Sequence, residues 1–254
     1  MTDLFSLAGR TALITGGSRG IGRMIAAGFL RAGARVYITA RKADACIAAA
    51  QELSRLGPCT ALPHDIAAAD GLQALVADVT AREPALDILV NNAGAAWGAP
   101  FDEFPEAGWD KVMNLNVKAP FFLTQALHGA LKAAAGERPA KVINIASIDG
   151  LSVNPMETYS YAASKAGLVH LTRRMALWLV QDNIVVSAIA PGAFASDMNR
   201  DARDHGDTVA QRIPARRIGT DEDMAGAAVY LASRAGDYVV GATLTVDGGV
   251  TLAR

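Results

Sequence analysis

The sequence predicts an α/β fold: a doubly wound, parallel, seven-stranded sheet in a single domain. Three observations predict it. Short β-branched or apolar runs alternate with longer helical patterns, a glycine-rich turn follows the first run, and no repeat or linker divides the 254 residues. A chain of this length forms one substantial core without a second domain. Ligands of such sheets bind beyond the carboxyl ends of the strands, so candidate site residues are expected there.

Seven segments have the composition of buried strands: Thr11–Thr15, Arg35–Ala40, Cys59–Pro63, Asp87–Asn91, Lys141–Ala146, Ile184–Ala190 and Thr243–Val246. Helical periodicity is found in six segments between them: Ile21–Ala32, Ala43–Leu56, Ala69–Arg82, Phe104–Ala134, Tyr159–Gln181 and Asp221–Ala232. The stretch Gly192–Gly219 lacks clear periodicity, is charged and contains Pro214. We therefore expect a mobile segment there, lying over the binding cleft.

The overall composition is that of a soluble globular protein. Hydrophobic residues make up 51% of the chain and charged residues 19%, and the formal net charge is −1. Because the chain has no basic stripe or acidic tail, nucleic acid is not an expected partner. No stretch reaches the roughly 18 consecutive apolar residues that a spanning helix needs. The start, Met1–Arg10, has neither a signal nor an anchor pattern, so a membrane is not expected as a partner.

The two cysteines, Cys46 and Cys59, indicate a reduced protein. They form no CxxC motif, and so few thiols in a chain of this length favour a cytoplasmic location. A disulfide between them is the disfavoured alternative. No metal site is expected, because metal-ligand spacing is absent from the four histidines, which are His64, His128, His170 and His205.

A glycine-rich turn, Gly16-Gly17-Ser18-Arg19-Gly20-Ile21-Gly22, follows the first predicted strand. Its glycines let the backbone approach a pyrophosphate, whose negative charge is favoured by free N–H groups and by the helix dipole. Such turns also close ordinary loops, but here a strand precedes the turn and a helix follows it. The turn therefore predicts a dinucleotide-binding site.

The end of the second strand indicates which dinucleotide binds. Enzymes that prefer NAD place an acidic residue there, which accepts hydrogen bonds from the ribose hydroxyls. In this chain the strand ends at Ala40 without a carboxylate, Arg41 follows, and Arg19 lies in the glycine-rich turn. Two guanidinium groups match a 2′-phosphate in charge and geometry. NADP(H) is therefore the expected cofactor, and the alternative is that both arginines are simply solvated.

Tyr161 and Lys165 are four residues apart in the helix predicted after the fifth strand, so they share one helix face. A phenol has an unperturbed pKa of about 10, and a neighbouring ammonium group lowers it. The pair is thus suited to proton transfer. Tyr159 lacks such a partner, because Ala163 stands at the same offset. For the pair alone, an amphipathic surface helix remains an equal alternative.

Two more polar residues accompany this pair. Ser147 follows the fifth strand, where its hydroxyl can donate to a carbonyl oxygen and to a growing alkoxide, or can merely cap a turn. Asn116 lies within the predicted helix Phe104–Ala134, where an amide competes with the backbone. It is either a buried, satisfied amide or a functional group.

These residues resemble the motifs of the short-chain dehydrogenase/reductase family over nearly the whole chain. The matching motifs are Thr15–Gly22, Asn91–Gly94, Asn116, Ser147, Tyr161 with Lys165, Pro191–Gly192 and Asp247–Gly249. The resemblance implies a Rossmann fold and an NADP(H)-dependent oxidoreductase that reduces a ketone or 3-oxoacyl carbonyl to a secondary alcohol. The other partner implied is therefore a small carbonyl or alcohol substrate.

The resemblance also implies individual roles. Tyr161 would be the general acid, Ser147 would orient the carbonyl, and Lys165 would bind the nicotinamide ribose and lower the pKa of Tyr161. Asn116 would hold a water that links Lys165 to solvent. The implied cofactor-binding residues are Gly16, Ser18, Arg19, Gly20, Ile21, Gly22, Arg41, Asp65, Ile66, Asn92, Ala93, Gly94, Tyr161, Lys165, Pro191, Gly192, Phe194 and Ser196. Among them, Asp65 would contact the adenine, and Ser196 replaces a threonine common in the family.

Within the family, the chain most resembles NADPH-dependent β-ketoacyl reductases of the rhamnolipid-synthesis type, through Asn92–Gly98 and Pro191–Phe194. The interval from Ser147 to Tyr161 is longer than the commonest family spacing, which alters the loop Ile148–Thr158. The substrate therefore stays open among acyl thioesters, sugars, steroids and small ketones.

The family resemblance further implies a homo-oligomer, a tetramer or a dimer, with the helices Phe104–Ala134 and Tyr159–Gln181 forming one interface. Two other functions are considered. One is an NADH-preferring secondary alcohol dehydrogenase, and the other is a non-catalytic regulator that binds a dinucleotide. A binding-only protein has no chemical need for the complete set of four polar residues Asn116, Ser147, Tyr161 and Lys165.

Overall fold

The computed structural model describes residues 4–252, so part of the stretch Met1–Arg10 lies outside the described residues. It contains one sheet with the strands β1 (Thr11–Thr15), β2 (Arg35–Thr39), β3 (Cys59–Ala61), β4 (Ile88–Asn91), β5 (Ala140–Ile145), β6 (Ile184–Pro191) and β7 (Thr243–Val246). The strand order is β3-β2-β1-β4-β5-β6-β7, and every neighbouring pair is parallel. All seven predicted strands are confirmed, with ends that differ by at most two residues.

The helices are α1 (Gly20–Arg31), α2 (Ala43–Leu53), α3 (Ala69–Arg82), α4 (Glu106–Met113), α5 (Ala119–Ala126), α6 (His128–Ala134), α7 (Tyr159–Leu179), α8 (Arg200–Asp204), α9 (Gly206–Ala210) and α10 (Asp221–Ala232). They cover both faces of the sheet. Alternation along β1 shows why: Ala12 and Ile14 join a core with α1, α2 and α10, whereas Leu13 joins a core with α3, α5, α6 and α7. Successive strand residues point to opposite faces, so both faces are apolar.

The prediction of one continuous helix over Phe104–Ala134 is wrong. The segment forms α4, a π-helical turn at Asn114–Lys118, α5 and α6. The π turn replaces α-helical hydrogen bonding around Asn116, and the backbone at Leu127 leaves the helical region between α5 and α6. Apolar periodicity continues through such interruptions, which is why the sequence did not reveal them.

The segment Gly192–Gly219 is not without secondary structure, because it contains the short helices α8 and α9. Its two ends are joined by a β-bridge between Phe194 and Gly219, with a 2.9 Å hydrogen bond from Gly219 N to Ala193 O. The segment is therefore a loop with closed ends that lies beyond the carboxyl end of β6. Its mobility stays a prediction.

The strand order reverses direction between β1 and β4, and this point positions the site. Chain connections leave β1 toward β2 on one side and β4 toward β5 on the other, which opens a crevice at their carboxyl ends. Within residues 4–252, no helix is long and apolar enough to cross a membrane. In the same part of the chain, no cluster of three or more His, Cys, Asp or Glu residues suits a metal ion, and both cysteines are free thiols.

Candidate active site

The glycine-rich turn lies at the carboxyl end of β1, and its last residues form the start of α1. The N–H groups of Gly16 and Gly17 donate to the carbonyl oxygen of Thr39 at the end of β2, at 2.8 and 3.3 Å. A Cβ atom on Gly22 would lie 2.4 Å from both Asn92 Nδ2 and Gly16 O, so no larger residue fits there. The turn therefore packs closely on its neighbours, and the N–H groups at the start of α1 stay available for an anion.

Thr15 fixes the loop after β4 against this turn. Its Oγ1 accepts hydrogen bonds from Asn92 N at 3.0 Å and from Ala93 N at 2.9 Å. The Asn92 side chain donates from Nδ2 to Thr15 O at 2.8 Å. The loop Asn92–Gly94 thus lies beside the glycine-rich turn, on the same side of the crevice entrance.

Arg19 and Arg41 both lie at the surface near the end of β2, and Arg19 has an ionic partner. Its NH1 atom is 2.5 Å from Oδ2 of Asp197 in the segment Gly192–Gly219. Arg41 follows β2 and is exposed, and no ion pair is found for it among residues 4–252. No acidic residue ends β2, since Thr39 and Ala40 occupy that position.

Asn116 lies in the π-helical turn and is only 1% exposed. Its Oδ1 accepts from Ala95 N at 2.8 Å, and its Nδ2 donates to Ala95 O and to Ser164 Oγ, each at 2.9 Å. The amide is therefore satisfied, and it joins the loop after β4 to α7. A Cβ atom on Gly94 would lie 3.2 Å from Asn116 Oδ1 and 3.8 Å from Lys165 Nζ, which shows how near the amide lies to the lysine.

Lys165 is buried in α7, where its Nζ donates to the carbonyl oxygen of Ile145 at 2.7 Å. Burial lowers the pKa of Lys165 to about 8, against a smaller raising effect of the Asp149 carboxylate. The ammonium form therefore still predominates at neutral pH, although by a narrower margin than in water.

Tyr161 lies next to Lys165, with 5.6 Å between Lys165 Nζ and the centroid of the phenol ring. The two side chains share a helix face, as their spacing predicts. The pKa of Tyr161 is nevertheless raised, to about 12, by burial. A hydrogen bond with Ser147 lowers it in part, and Asp149 raises it further. The expected lowering by Lys165 is thus not seen, because desolvation of the phenolate dominates.

Ser147 follows β5, borders the site and is 7% exposed. Its Oγ accepts a 3.1 Å hydrogen bond from Asp149 N, which starts a short 3₁₀ turn at Ile148–Gly150. Because the oxygen accepts from the backbone, the hydroxyl proton is left to donate toward Tyr161. Ser147 therefore both caps a turn and presents a donor in the site, so the two alternatives for it are compatible.

Tyr159 occupies a different environment. Its ring makes edge-to-face contacts with Phe101 and Phe104, with centroids 5.5 and 5.7 Å apart. Burial and the Glu157 carboxylate raise its pKa. The structure thus assigns Tyr159 to an aromatic cluster and leaves Tyr161 beside the lysine.

The loop Ile148–Thr158 is ordered by side-chain hydrogen bonds. Asn154 Nδ2 donates to Asp149 Oδ1 at 2.7 Å, and Asn154 Oδ1 accepts from Met156 N at 2.8 Å. Two apolar side chains project from this loop into solvent, Val153 and Met156, which are 99% and 64% exposed. We call these two side chains the apolar rim, and they lie in the stretch of sequence between Ser147 and Tyr161.

The remaining implied cofactor residues lie around the same edge of the sheet. Asp65 Oδ1 accepts from Ala67 N at 3.1 Å, and Ile66 is buried beside it. Ser196 Oγ accepts from Asn199 N at 3.1 Å, and Phe194 is buried at the base of the segment Gly192–Gly219. Ser18, Gly20 and Ile21 belong to the turn, Pro191 is the last residue of β6, and Gly192 follows it.

The residues fit a phosphate-bearing dinucleotide. The turn offers free N–H groups at a helix start, the end of β2 has no carboxylate to repel a phosphate, and Arg19 and Arg41 carry positive charge near it. The chemistry of the donor set therefore agrees with NADP(H) rather than NAD(H).

Comparison with known families agrees with this geometry. A family described as enoyl-(acyl carrier protein) reductase matches residues 16–251. The chain belongs to the short-chain dehydrogenase/reductase family. It is thus an oxidoreductase, and the predicted Rossmann-type fold is confirmed.

Three comparisons show more closely what this reductase is similar to. It is 46% identical to a rhamnolipids biosynthesis 3-oxoacyl-[acyl-carrier-protein] reductase of Pseudomonas aeruginosa, over 99% of this chain and 100% of that protein. A solved Pseudomonas aeruginosa RhlG/NADP active-site complex superimposes with a TM-score of 0.96 at 46% identity, over 99% and 100% of the two chains. A gluconate 5-dehydrogenase from Burkholderia cenocepacia, in complex with NADP and tartrate, gives 0.91 at 35% identity, over 100% and 99%. NADP(H) is therefore the cofactor, as predicted, and the resemblance to the rhamnolipid-type reductases is confirmed.

Several residues that shape the site were not singled out from the sequence. Thr15 and Ser164 hold neighbouring loops and the Asn116 amide, and the charge of Asp149 raises the pKa of both Tyr161 and Lys165. Their positions inside recognised motifs were the available signal: Thr15 begins the glycine-rich motif, and Ser164 lies between Tyr161 and Lys165.

Proposed function

We propose that the chain is an NADP(H)-dependent reductase of a ketone or 3-oxoacyl carbonyl in which Tyr161 is the general acid. One observation carries the proposal: Tyr161, Ser147 and Lys165 converge at the carboxyl end of β5, beside the dinucleotide-binding turn. A non-catalytic regulator would have no use for a buried lysine whose desolvation opposes its charge.

The protonation state of Tyr161 suits reduction. Because burial raises its pKa to about 12, the phenol keeps its proton at neutral pH and can donate it to the oxygen of a bound carbonyl. The Ser147 hydroxyl, already aligned by Asp149 N, donates to the same oxygen and stabilises developing negative charge. Bound NADPH supplies the hydride for this reaction.

Lys165 and Asn116 support the proton donor. In this scheme the Lys165 ammonium, whose Nζ lies 5.6 Å from the centroid of the phenol ring, attracts the phenolate that remains after proton transfer, while desolvation still holds the pKa of Tyr161 above its usual value. Asn116 holds the loop that contains Ala95 against α7 and lies beside Lys165, where a water would link the ammonium to solvent. In this scheme Lys165 also contacts the nicotinamide ribose.

The cofactor is held by three groups of residues. Backbone N–H groups of the turn, from Gly16, Ser18, Gly20, Ile21 and Gly22, face the pyrophosphate. Arg19 and Arg41 bind the 2′-phosphate. The adenosine side of the cofactor is lined by Asp65, Ile66, Asn92, Ala93 and Gly94. The nicotinamide side is lined by Pro191, Gly192, Phe194 and Ser196. This arrangement follows from the carboxyl-end location of all these residues.

The apolar rim favours an acyl chain over a sugar as substrate. Val153 and Met156 expose apolar side chains from the loop that joins Ser147 to the helix of Tyr161, and burial of such groups against an acyl chain is favourable. The 3-oxoacyl reductase among the relatives agrees with this preference, whereas the gluconate dehydrogenase represents the alternative.

A panel of substrates scored by NADPH consumption tests the proposal. It contains a 3-oxoacyl thioester, 5-keto-gluconate, a small ketone and an enoyl thioester, because the family description also names enoyl reduction. We expect the 3-oxoacyl thioester to give the highest kcat/KM. Turnover of the enoyl thioester alone would contradict carbonyl reduction, and higher rates with NADH would support the alternative dehydrogenase.

We further propose a cytoplasmic location and a homo-oligomeric assembly. Two free cysteines agree with a cytoplasmic protein. Large apolar side chains are exposed on α5 and α7, namely Phe121, Phe122, Leu177 and Trp178, which favours a homo-oligomer, a tetramer or a dimer. Light scattering at assay concentration tests this, and a monomer would contradict it.

A further inference from the structure

Arg19 and Asp197 connect two parts of the chain that are distant in sequence. Arg19 precedes α1 in the glycine-rich turn, and Asp197 belongs to the segment Gly192–Gly219. Their side chains form an ion pair of 2.5 Å between NH1 and Oδ2. The other oxygen of Asp197 accepts a 2.7 Å hydrogen bond from Arg203 in α8. Asp197 therefore bridges the turn and the segment.

The turn and the segment meet at a second point nearby. A Cβ atom placed on Gly20 would lie only 3.2 Å from the Cβ atom of Ser196. The residues next to Arg19 and Asp197 in sequence are thus already in close approach. The ion pair lies where the proposed phosphate-binding residues border the segment over the cleft.

The ion pair between Arg19 and Asp197 is weak enough for a phosphate to replace Asp197 as the partner of Arg19. The two side chains are 73% and 49% exposed, so solvent screens their attraction. A phosphate group has more negative charge and more acceptor oxygens, and arginine binds it through two parallel hydrogen bonds. Arg203 has a further partner, Asp204, at 2.8 Å, so it does not depend on Asp197.

We propose that Asp197 is a specificity-determining residue that competes with the 2′-phosphate of NADP(H) for Arg19. This proposal rests on the proposed role of Arg19 as a phosphate ligand. Asp197 then weakens the binding of phosphate-bearing cofactors and leaves NAD(H) unaffected. Binding of NADP(H), in turn, opens the ionic contact between the glycine-rich turn and the segment Gly192–Gly219.

The charge of Asp197 persists under assay conditions. The hydrogen bond and the positive charge of Arg19 hold the pKa of Asp197 below its usual value, with a smaller effect of Arg203. The carboxylate is therefore ionised at neutral pH, and a negative group stands next to the guanidinium that the phosphate needs.

Binding measurements on the full chain test the competition. The probes are NADPH, NADH and adenosine 2′,5′-bisphosphate, which carries the 2′-phosphate without a nicotinamide, and affinity is measured by calorimetry. Asp197→Asn should bind NADPH and the bisphosphate about two- to fivefold more tightly, the size expected for loss of one exposed ionic competitor. NADH affinity should not change. Asp207→Asn is the matched control, because it removes a negative charge from the same segment and forms no ion pair with Arg19 or Arg203, and it should change none of the three.

Hydrogen exchange of the segment provides a readout independent of affinity. Amides near Asp197 should exchange faster with saturating NADP⁺ than with saturating NAD⁺, and in Asp197→Asn the two cofactors should give equal exchange. Arg19→Gln distinguishes the role of Arg19 as a phosphate ligand from the competition by Asp197. If it binds NADPH as tightly as the unchanged chain, the phosphate-ligand assignment fails. If it binds NADPH less tightly than the unchanged chain, but Asp197→Asn shows equal or weaker NADPH affinity, the competition alone is overturned.

Discussion

Lys165 donates a 2.7 Å hydrogen bond from Nζ to the carbonyl oxygen of Ile145, the last residue of β5. This bond holds a buried ammonium beside the phenol of Tyr161. Lys165→Met removes the charge but keeps the length of the side chain. We expect kcat to fall at least about a hundredfold, the usual loss when preorganised charge stabilisation is removed. The melting temperature should change little, because apolar replacement of a buried charge is often neutral or stabilising.

Lys132→Met is the control for the loss of a lysine as such. Lys132 is 59% exposed and pairs with Asp182, far from the site in sequence. It should keep full activity. A Lys165→Met enzyme with more than about a tenth of the original kcat would show that the ammonium contributes less than one factor of ten, about 1.4 kcal/mol, to the barrier.

The lowered pKa of Lys165 makes the stability of the free chain depend on pH. The folded pKa is about 8, and the unfolded value is about 10.4. Between these values the unfolded chain binds more protons, so this group makes the free energy of unfolding rise with pH. Urea unfolding of the unchanged chain and of Lys165→Met from pH 8 to 10 measures the effect. The free energy of unfolding of the unchanged chain should rise relative to that of Lys165→Met as pH rises. A difference that does not change with pH would contradict the lowered pKa of Lys165.

Asn116 is predicted to be a structural as well as a functional residue. Asn116→Ala removes three hydrogen bonds and leaves Ala95 N and Ala95 O without their side-chain partner. A buried polar group left unsatisfied costs about 1–3 kcal/mol, and the two Ala95 groups are only partly buried, so each should cost toward the lower end and the free energy of unfolding should fall by roughly 2–4 kcal/mol. Chemical denaturation measures this. A change below about 0.5 kcal/mol, the range of ordinary surface substitutions, would show that the network contributes little.

Much of the fold was predictable because its signals are local. The alternation of Ala12, Leu13 and Ile14 between two apolar faces follows from the strand period of two, and the glycine-rich turn marks the first crossover. The π turn at Asn114–Lys118 was not predictable, since apolar periodicity survives a local change of hydrogen bonding.

The site was predictable in its residues more than in its electrostatics. The spacing of Tyr161 and Lys165 fixes their common face, but the direction of the pKa shift of Tyr161 depends on burial, on Ser147 and on Asp149. These effects depend on the tertiary structure, which the spacing of residues in the sequence does not show. The pairing of Arg19 with Asp197 spans 178 positions of the chain and likewise has no local signal.

Cofactor preference should depend on the end of β2. Ala40→Asp combined with Arg41→Ala introduces a ribose-binding carboxylate and removes one phosphate ligand, so the ratio of kcat/KM for NADPH to that for NADH should fall at least about tenfold, equivalent to roughly 1.4 kcal/mol. Initial rates with the two reduced cofactors measure this. Arg82→Ala, at the end of α3, is the control, because it changes an arginine that the proposal does not use. An unchanged ratio in the double variant would mean that the phosphate is bound elsewhere.

The proton-donor role of Tyr161 is tested most directly by comparing Tyr161→Phe with Tyr159→Phe in single-substrate kinetics with NADPH. Both substitutions remove one phenol oxygen and keep the ring, but only Tyr161 lies beside Lys165 and Ser147. Tyr161→Phe should lower kcat by about 10²–10⁴, the usual contribution of a positioned general acid, while NADPH affinity stays within a few fold. Tyr159→Phe should keep most of its activity. An active Tyr161→Phe enzyme together with an inactive Tyr159→Phe enzyme would contradict the whole assignment of catalytic roles.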